Sequence, residues 1–389
     1  MKKVKKYGAL FLAFVMAAVS LSACGSSNKE STTAATSAAT TAAASETTAA
    51  DTSADPTEAV EDFSGQTLVV ANWKGYGSDA EYGAKAFEEK YGCKVEHQYF
   101  TSLEEMITML KQGGQGKIDV VLPNSTYVKV MTDQDLLEPI DTSKLSTFAD
   151  LREDLRDFSD SVIDGQYYAI PWTWGTTSLG YNPEAFSEPI TSWSALWDSA
   201  NKGKVGMFDE FDSAILTAGI YTGQEDLWNP NLDEIKTALL ELKANTRTFW
   251  ASYDDFLKPY MSGEITLGNM WAGTASQLLS SGEPVEYIYP EEGTIAWCDF
   301  WGIAKDAPNY DLALKWIEFM TDDEFQYAFA TDENAHNPVN TAVEASLTDD
   351  QKKILWMYPE GPSKIYMQKY MPEETRSQWL ELWNEVKAN

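Results

Sequence analysis

Between Thr67 and Tyr127 the chain alternates short apolar runs with amphipathic ones, and this pattern limits the fold more than any other feature. Thr67–Asn72 reads as a continuous apolar strand, and a helix over 79–91 stops on Gly92, a residue free to take the left-handed conformation after a last turn. Lys94–Tyr99 forms a second strand. Ser102 with Glu105 three residues on opens a helix that Gly113-Gly114 ends, and Ile118–Leu122 is a third strand before another helix. Strand–helix repeats of this length connect by right-handed crossovers into a parallel sheet covered on both faces. Ligands of such sheets sit beyond the carboxyl ends of the strands, which places Trp73, Tyr76, Asn124, Ser125 and Thr126 at one mouth.

A second αβ region follows an extended passage, Tyr168–Tyr181, that contains the pliable Gly175. Ser192 caps a short helix carrying Trp193 and Trp197. Gly203–Phe208 is a strand, and Asp209-Glu210-Phe211-Asp212-Ser213 leads into a helix. Asn231–Asn245 is a long amphipathic helix, and the strand Ile265–Met270 delivers Trp271 to a similar mouth. In the run Glu291–Ile303, Trp297 stands two positions before Asp299, so on an extended strand both side chains share a face. An indole face attracts a cation and a carboxylate accepts its N–H bonds, so the pair forms half of a pocket for an ammonium group. A core strand whose Asp299 caps a neighbouring turn accounts for this stretch equally well. Further helices are expected near Tyr310–Met320, Asp323–Thr331, Asp349–Met357 and Pro372–Val386, with crossings between lobes at Gly175 and Asp299.

The chain opens with four lysines ahead of a short apolar run and the sequence Leu21-Ser22-Ala23-Cys24. A basic start, a short apolar stretch and small residues before the cut are expected to act as a secretory signal, residues 1–23. The Leu-Ser-Ala-Cys ending resembles a bacterial lipobox, which implies lipid attachment at Cys24. Residues 24–65 are rich in Ser, Thr and Ala and bury too little to order themselves, so a disordered tether is expected there. The formal net charge is −31 and becomes more acidic once the basic leader is removed, which excludes a nucleic-acid binder and favours cationic ligands. Cys93 and Cys298 are too few for a disulfide scaffold and are expected as buried free thiols. His97 and His336 lack metal-ligand spacing, so no metal or other cofactor is expected. Nucleophile-elbow, zinc-protease and phosphate-loop patterns are missing; a glycosidase using paired carboxylates stays a remote alternative.

Taken together, Asn72-Trp73-x-x-Tyr76, Ala169-Ile170-Pro171 through Asn182, Thr191-Ser192-Trp193-x-x-Leu196-Trp197, Tyr260 through Trp271 and Pro290 through Asp299 resemble the spermidine/putrescine-binding components of bacterial ABC importers. The resemblance runs from about Gln66 to the C-terminus. It implies an α/β, two-lobed, periplasmic-binding-protein-like fold of type II, with a central mixed sheet in each lobe and the ligand cleft between them. On that footing residues 66–175 plus 299–343 form one lobe and 176–298 plus 344–389 the other. It further implies a monomer, not an enzyme, that is lipid-anchored to the outer face of the cytoplasmic membrane, captures a polyamine and delivers it to an ABC permease.

By position, Trp73 and Tyr76 match the family's first-loop contacts, Trp271 and Trp297 its sandwiching indoles, and Asp299 its amine-holding carboxylate. Asn124, Thr126, Glu210, Ser213 and His336 also fall on contact positions. The departures are specific: Lys74-Gly75 replaces the first-loop acid, Ser213 replaces a glutamate, and Asp212 beside it is disfavoured by its direction on the helix. With fewer acids, the same scaffold holding a quaternary ammonium, an amino-acid derivative or a sugar stays open.

Overall fold

A computed structural model describes residues 61–332, 335–357, 361 and 364–388. The expected signal sequence, the lipid-bearing Cys24 and most of the tether lie outside these residues. The tether ends sooner than expected, because Phe63 is buried, packs edge-on against Tyr91 and donates its backbone N–H to the Tyr91 carbonyl.

The first three strands are β1 (Thr67–Asn72), β2 (Lys94–Tyr99) and β3 (Val120–Val121), and β1 pairs in parallel with both others. Gly92 ends the helix before β2 with φ +73°, where a side chain would be strained. At the next helix, Ser102 accepts from Glu105 N–H, but the Glu105 carboxylate returns to Thr101 instead of closing the reciprocal bond on Ser102. The parallel motif repeats in the second half as β5 (Val205–Phe208), β6 (Thr246–Trp250) and β7 (Leu267–Trp271) around the helices Phe211–Thr222 and Leu232–Asn245.

Two long strands join the halves. These are β4 (Ala169–Tyr181), buried along its whole length, and β8 (Thr294–Ala304), its antiparallel partner. The spatial order is β2-β1-β3-β8-β4-β7-β5-β6. The sheets expected in each lobe are therefore hydrogen-bonded into one twelve-stranded mixed sheet, parallel towards both ends and antiparallel in the middle. Burial of β4 throughout and of β8 everywhere but Trp297 supplies the reason, since backbone groups crossing a dry interior must find partners there.

The apolar core divides along the same line. One cluster holds Ala169–Trp174 and Cys298–Ala304 with β1, β3 and the helix Tyr310–Thr321. A second holds Leu179, Tyr181 and Ile295 with β5 and the C-terminal helix Glu373–Ala388. A third gathers Phe208, Trp250, Phe256, Met270, Tyr287 and Trp356. Cys93 and Cys298 are buried free thiols, as the sequence implies.

Candidate functional site

Where β4 and β8 pass between the first two cores, Trp297 pairs with Gly175 and Asp299 with Thr173, and a bulge between Asp299 and Phe300 shifts the register. The Trp297 indole lies against the Gly175 backbone: a Cβ at Gly175 would stand 2.4 Å from Trp297 Cζ2. Only glycine lets the indole lie so close. A small, partly open cavity of about 30 Å³ lies at this point. It is walled by Tyr76, Trp174, Gly175, Tyr253, Trp297 and His336, with Asn337 and Leu355 among its other lining residues.

Asp299 is 7% exposed and accepts a 2.7 Å hydrogen bond from the Tyr76 hydroxyl. Among the described residues, no lysine or arginine forms an ion pair with it. Burial pushes its pKa up to about 7, against the opposing pull of the Tyr76 hydrogen bond. Burial, and then the Asp299 charge, push the Tyr76 phenol well above its ordinary range, so that hydroxyl stays a donor. The same two causes push Tyr253 up to about 12. A carboxylate held with two phenols and no counter-ion is a site that a cation would stabilise.

The rest of the wall is neutral. His336 stacks on Phe329 at 4.3 Å and meets Tyr76 edge-on at 5.0 Å. Burial draws its pKa down to about 4, against Asp332, so the imidazole is uncharged at neutral pH. Trp297 Nε1 and Asn337 Oδ1 are both buried without a hydrogen-bond partner among the described residues, leaving a donor and an acceptor on residues that line the cavity. The Trp174 indole donates to the Pro338 carbonyl, and the Arg152 guanidinium sits 4.6 Å from its ring.

Of the ten candidates from the sequence, the structure brings Tyr76, Trp297, Asp299 and His336 together. Trp271 stands one layer back, edge-on to Phe208, Trp250 and Tyr253, and supports the Tyr253 ring. Trp73 packs on Phe100 at 4.6 Å and does not line the cavity. The Asn124 side chain accepts from the Thr126 N–H and hydroxyl, closing a turn whose backbone bridges to Asp299. Half-buried Glu210 and buried Ser213 lie in a separate group with buried Asp212. There burial, then the Asp212 carboxylate, push Glu210 well up, and Gln368 donates to Asp212 at 2.9 Å. Asp212 thus pairs with Glu210 and Gln368, and it does not line the cavity. Lys74 is exposed and points no charge into the cavity.

Trp174, Tyr253 and Asn337 were missed from the sequence. Trp174 neighbours Gly175 and Asn337 neighbours His336, so both were within reach. Tyr253 was not, because it starts the helix Tyr253–Met261 far along the chain and only the β5–β6–β7 stacking brings it to Asp299.

Comparison with known proteins bears on the family and the fold. Residues 83–359 match the family model for bacterial extracellular solute-binding proteins. The spermidine/putrescine-binding periplasmic protein of Escherichia coli K12 is 33% identical over 262 residues, 65% of this chain and 72% of that protein. The putrescine/cadaverine-binding protein of Pseudomonas aeruginosa is 26% identical over 353 residues, covering 85% and 96%. A solved spermidine/putrescine ABC transporter substrate-binding protein of Streptococcus pneumoniae superposes with a TM-score of 0.74 at 26% identity, covering 83% of this chain and 99% of that one. The fold is the two-lobed one of that protein, and the chain belongs to the bacterial extracellular solute-binding proteins, an exported family of binding proteins and not of enzymes.

Proposed function

We propose that this protein captures a small alkylammonium of the diamine and polyamine class between its lobes and hands it to an ABC permease. The single observation that carries this reading is Asp299, a buried carboxylate with no cationic partner among the described residues, set against a cavity walled by Tyr76, Trp174, Tyr253 and Trp297. A ligand ammonium would supply the missing charge, and the indole and phenol faces suit methylenes and cations alike. The polyamine relatives support the same class.

The cavity volume of about 30 Å³ has room for roughly one or two waters, so a four-carbon diamine requires the walls to part and re-close around it. The division of the core supports lobes built from 66–175 plus 299–343 and from 176–298 plus 344–389. Asn124 and Thr126 then hold the Asp299 strand, while Trp73, Trp271, Glu210 and Ser213 serve the site from further out. Cys24 carries the lipid, and a monomer tethered outside the cytoplasmic membrane is the working form.

A second reading, a ligand with one cationic end such as a quaternary ammonium or an amino-acid derivative, draws on Asp299 being the carboxylate bonded to Tyr76 behind a wall whose His336 and Asn337 are neutral. Thermal shift with putrescine, cadaverine, spermidine, choline and γ-aminobutyrate separates the two, since a bound ligand raises stability by RT ln(1 + [L]/Kd). The proposal expects the largest shifts from the diamines. Shifts from choline or γ-aminobutyrate alone would replace it with the second reading.

A further inference from the structure

Outside the cavity, one side chain ties the two main cores together. Arg376 stands on the helix Glu373–Ala388, whose Trp379, Trp383 and Val386 belong to the second core. Its Nη2 donates at 2.5 Å to Glu104 Oε1, on the helix Leu103–Met109 whose Met106 belongs to the first core. The same Glu104 oxygen accepts from the Tyr127 hydroxyl. The guanidinium lies 4.7 Å from the Tyr127 ring and 5.6 Å from that of Phe211, so it is gripped by an aromatic from each half. A second tie lies close by in sequence: the Tyr370 N–H donates to Asp160 at 2.8 Å, and Lys129 Nζ sits 5.4 Å from the Tyr370 ring.

We propose that Arg376 is the latch that sets the balance between open and closed lobes, and so tunes ligand affinity without touching ligand. The lobes are joined covalently through the β4 and β8 passages, and any parting of the cleft that separates Glu373–Ala388 from Leu103–Met109 must break the Arg376–Glu104 bond. A ligand that binds the closed form has an apparent Kd equal to the intrinsic value divided by the closed fraction. Weakening the latch lowers that fraction. The Arg376 charge also draws both Glu210 and Asp212 towards ionisation, so the latch and that acidic pair share one charge. Removing the guanidinium leaves Glu104 still bonded to Tyr127, so the carboxylate is not stranded and the variant should fold.

This inference rests on the amine-binding reading for its affinity arm but not for its conformational arm. The test is a double-mutant cycle of Arg376→Gln, Glu104→Gln and the pair, each read by putrescine calorimetry and by small-angle scattering without ligand. The latch predicts that each single variant weakens putrescine by about two- to fivefold, mostly through faster release, with a larger ligand-free radius of gyration. It also predicts that the double variant loses no more than either single. Additive losses, or an unchanged radius in Arg376→Gln, would overturn it. If the parent protein binds no amine, the functional reading fails by itself, and the radius comparison alone then decides the latch.

Discussion

Replacing Asp299 by Asn should make the ligand-free protein more stable and the ligand-bound protein much weaker, because the side chain is held at a cost in the absence of a cation. The carboxyl titrates near 7 when folded against 3.8 as its ordinary value. The folded state therefore holds an extra proton across that window. This group's contribution is complete below the unfolded value, is lost as pH rises toward 7, and is a constant penalty above it. Three pKa units correspond to about 4 kcal/mol at pH 8. Asn keeps an oxygen for the Tyr76 hydroxyl and removes the charge, so part of that penalty is recovered. For a chain of this size the gain amounts to a rise of roughly 3–6 °C in Tm at pH 8, shrinking toward pH 4.5 where Asp299 is already protonated in the fold. The same change deletes the counter-charge for the ligand, with a loss of about 2–5 kcal/mol in putrescine binding. Paired calorimetry and thermal denaturation of the two proteins at pH 8 and 4.5 provide the check. A variant that is less stable at pH 8, or that binds putrescine as the parent does, would refute the reasoning.

Three further outcomes follow from the same geometry. Putrescine affinity should rise with pH up to about 7 and level off above it, falling by up to about tenfold per unit below, with a proton released on binding near pH 6 that shows as a buffer-dependent heat. Gly175→Ala would put a Cβ 2.4 Å from Trp297 Cζ2 and should force the indole off its seat, costing about 1–3 kcal/mol of stability by thermal denaturation and weakening putrescine as well. Trp297→Ala should reduce affinity more than Trp73→Ala, since Trp297 lines the cavity and Trp73 packs on Phe100; equal losses in calorimetry would return Trp73 to the ligand.

Local chemistry made most of the elements legible. Gly92 and the Ser102 cap sit where steric freedom and a side-chain acceptor put them, and β1, β2 and the helix Asp323–Thr331 keep the boundaries read from the sequence. The joining of the two sheets was not legible, because a strand pairing along its whole length through a crossing looks in sequence like an extended linker. At the site, Trp297 and Asp299 could be read from their spacing on one strand, Tyr76 from its place beyond the end of the first strand, and His336 from resemblance. Tyr253 could not, since its approach to Asp299 depends on how the second half stacks. The pairing of Asp212 with Glu210 was likewise hidden, because Gln368, which donates to Asp212, lies more than 150 residues further along the chain.

The most direct test is a crystal structure of the protein grown with putrescine. An ammonium nitrogen within hydrogen-bond reach of the Asp299 carboxylate, with the methylenes lying between Tyr76, Trp174 and Trp297, is the predicted result. Putrescine bound elsewhere, or Asp299 still bonded to Tyr76 alone beside a filled cavity, would contradict the account.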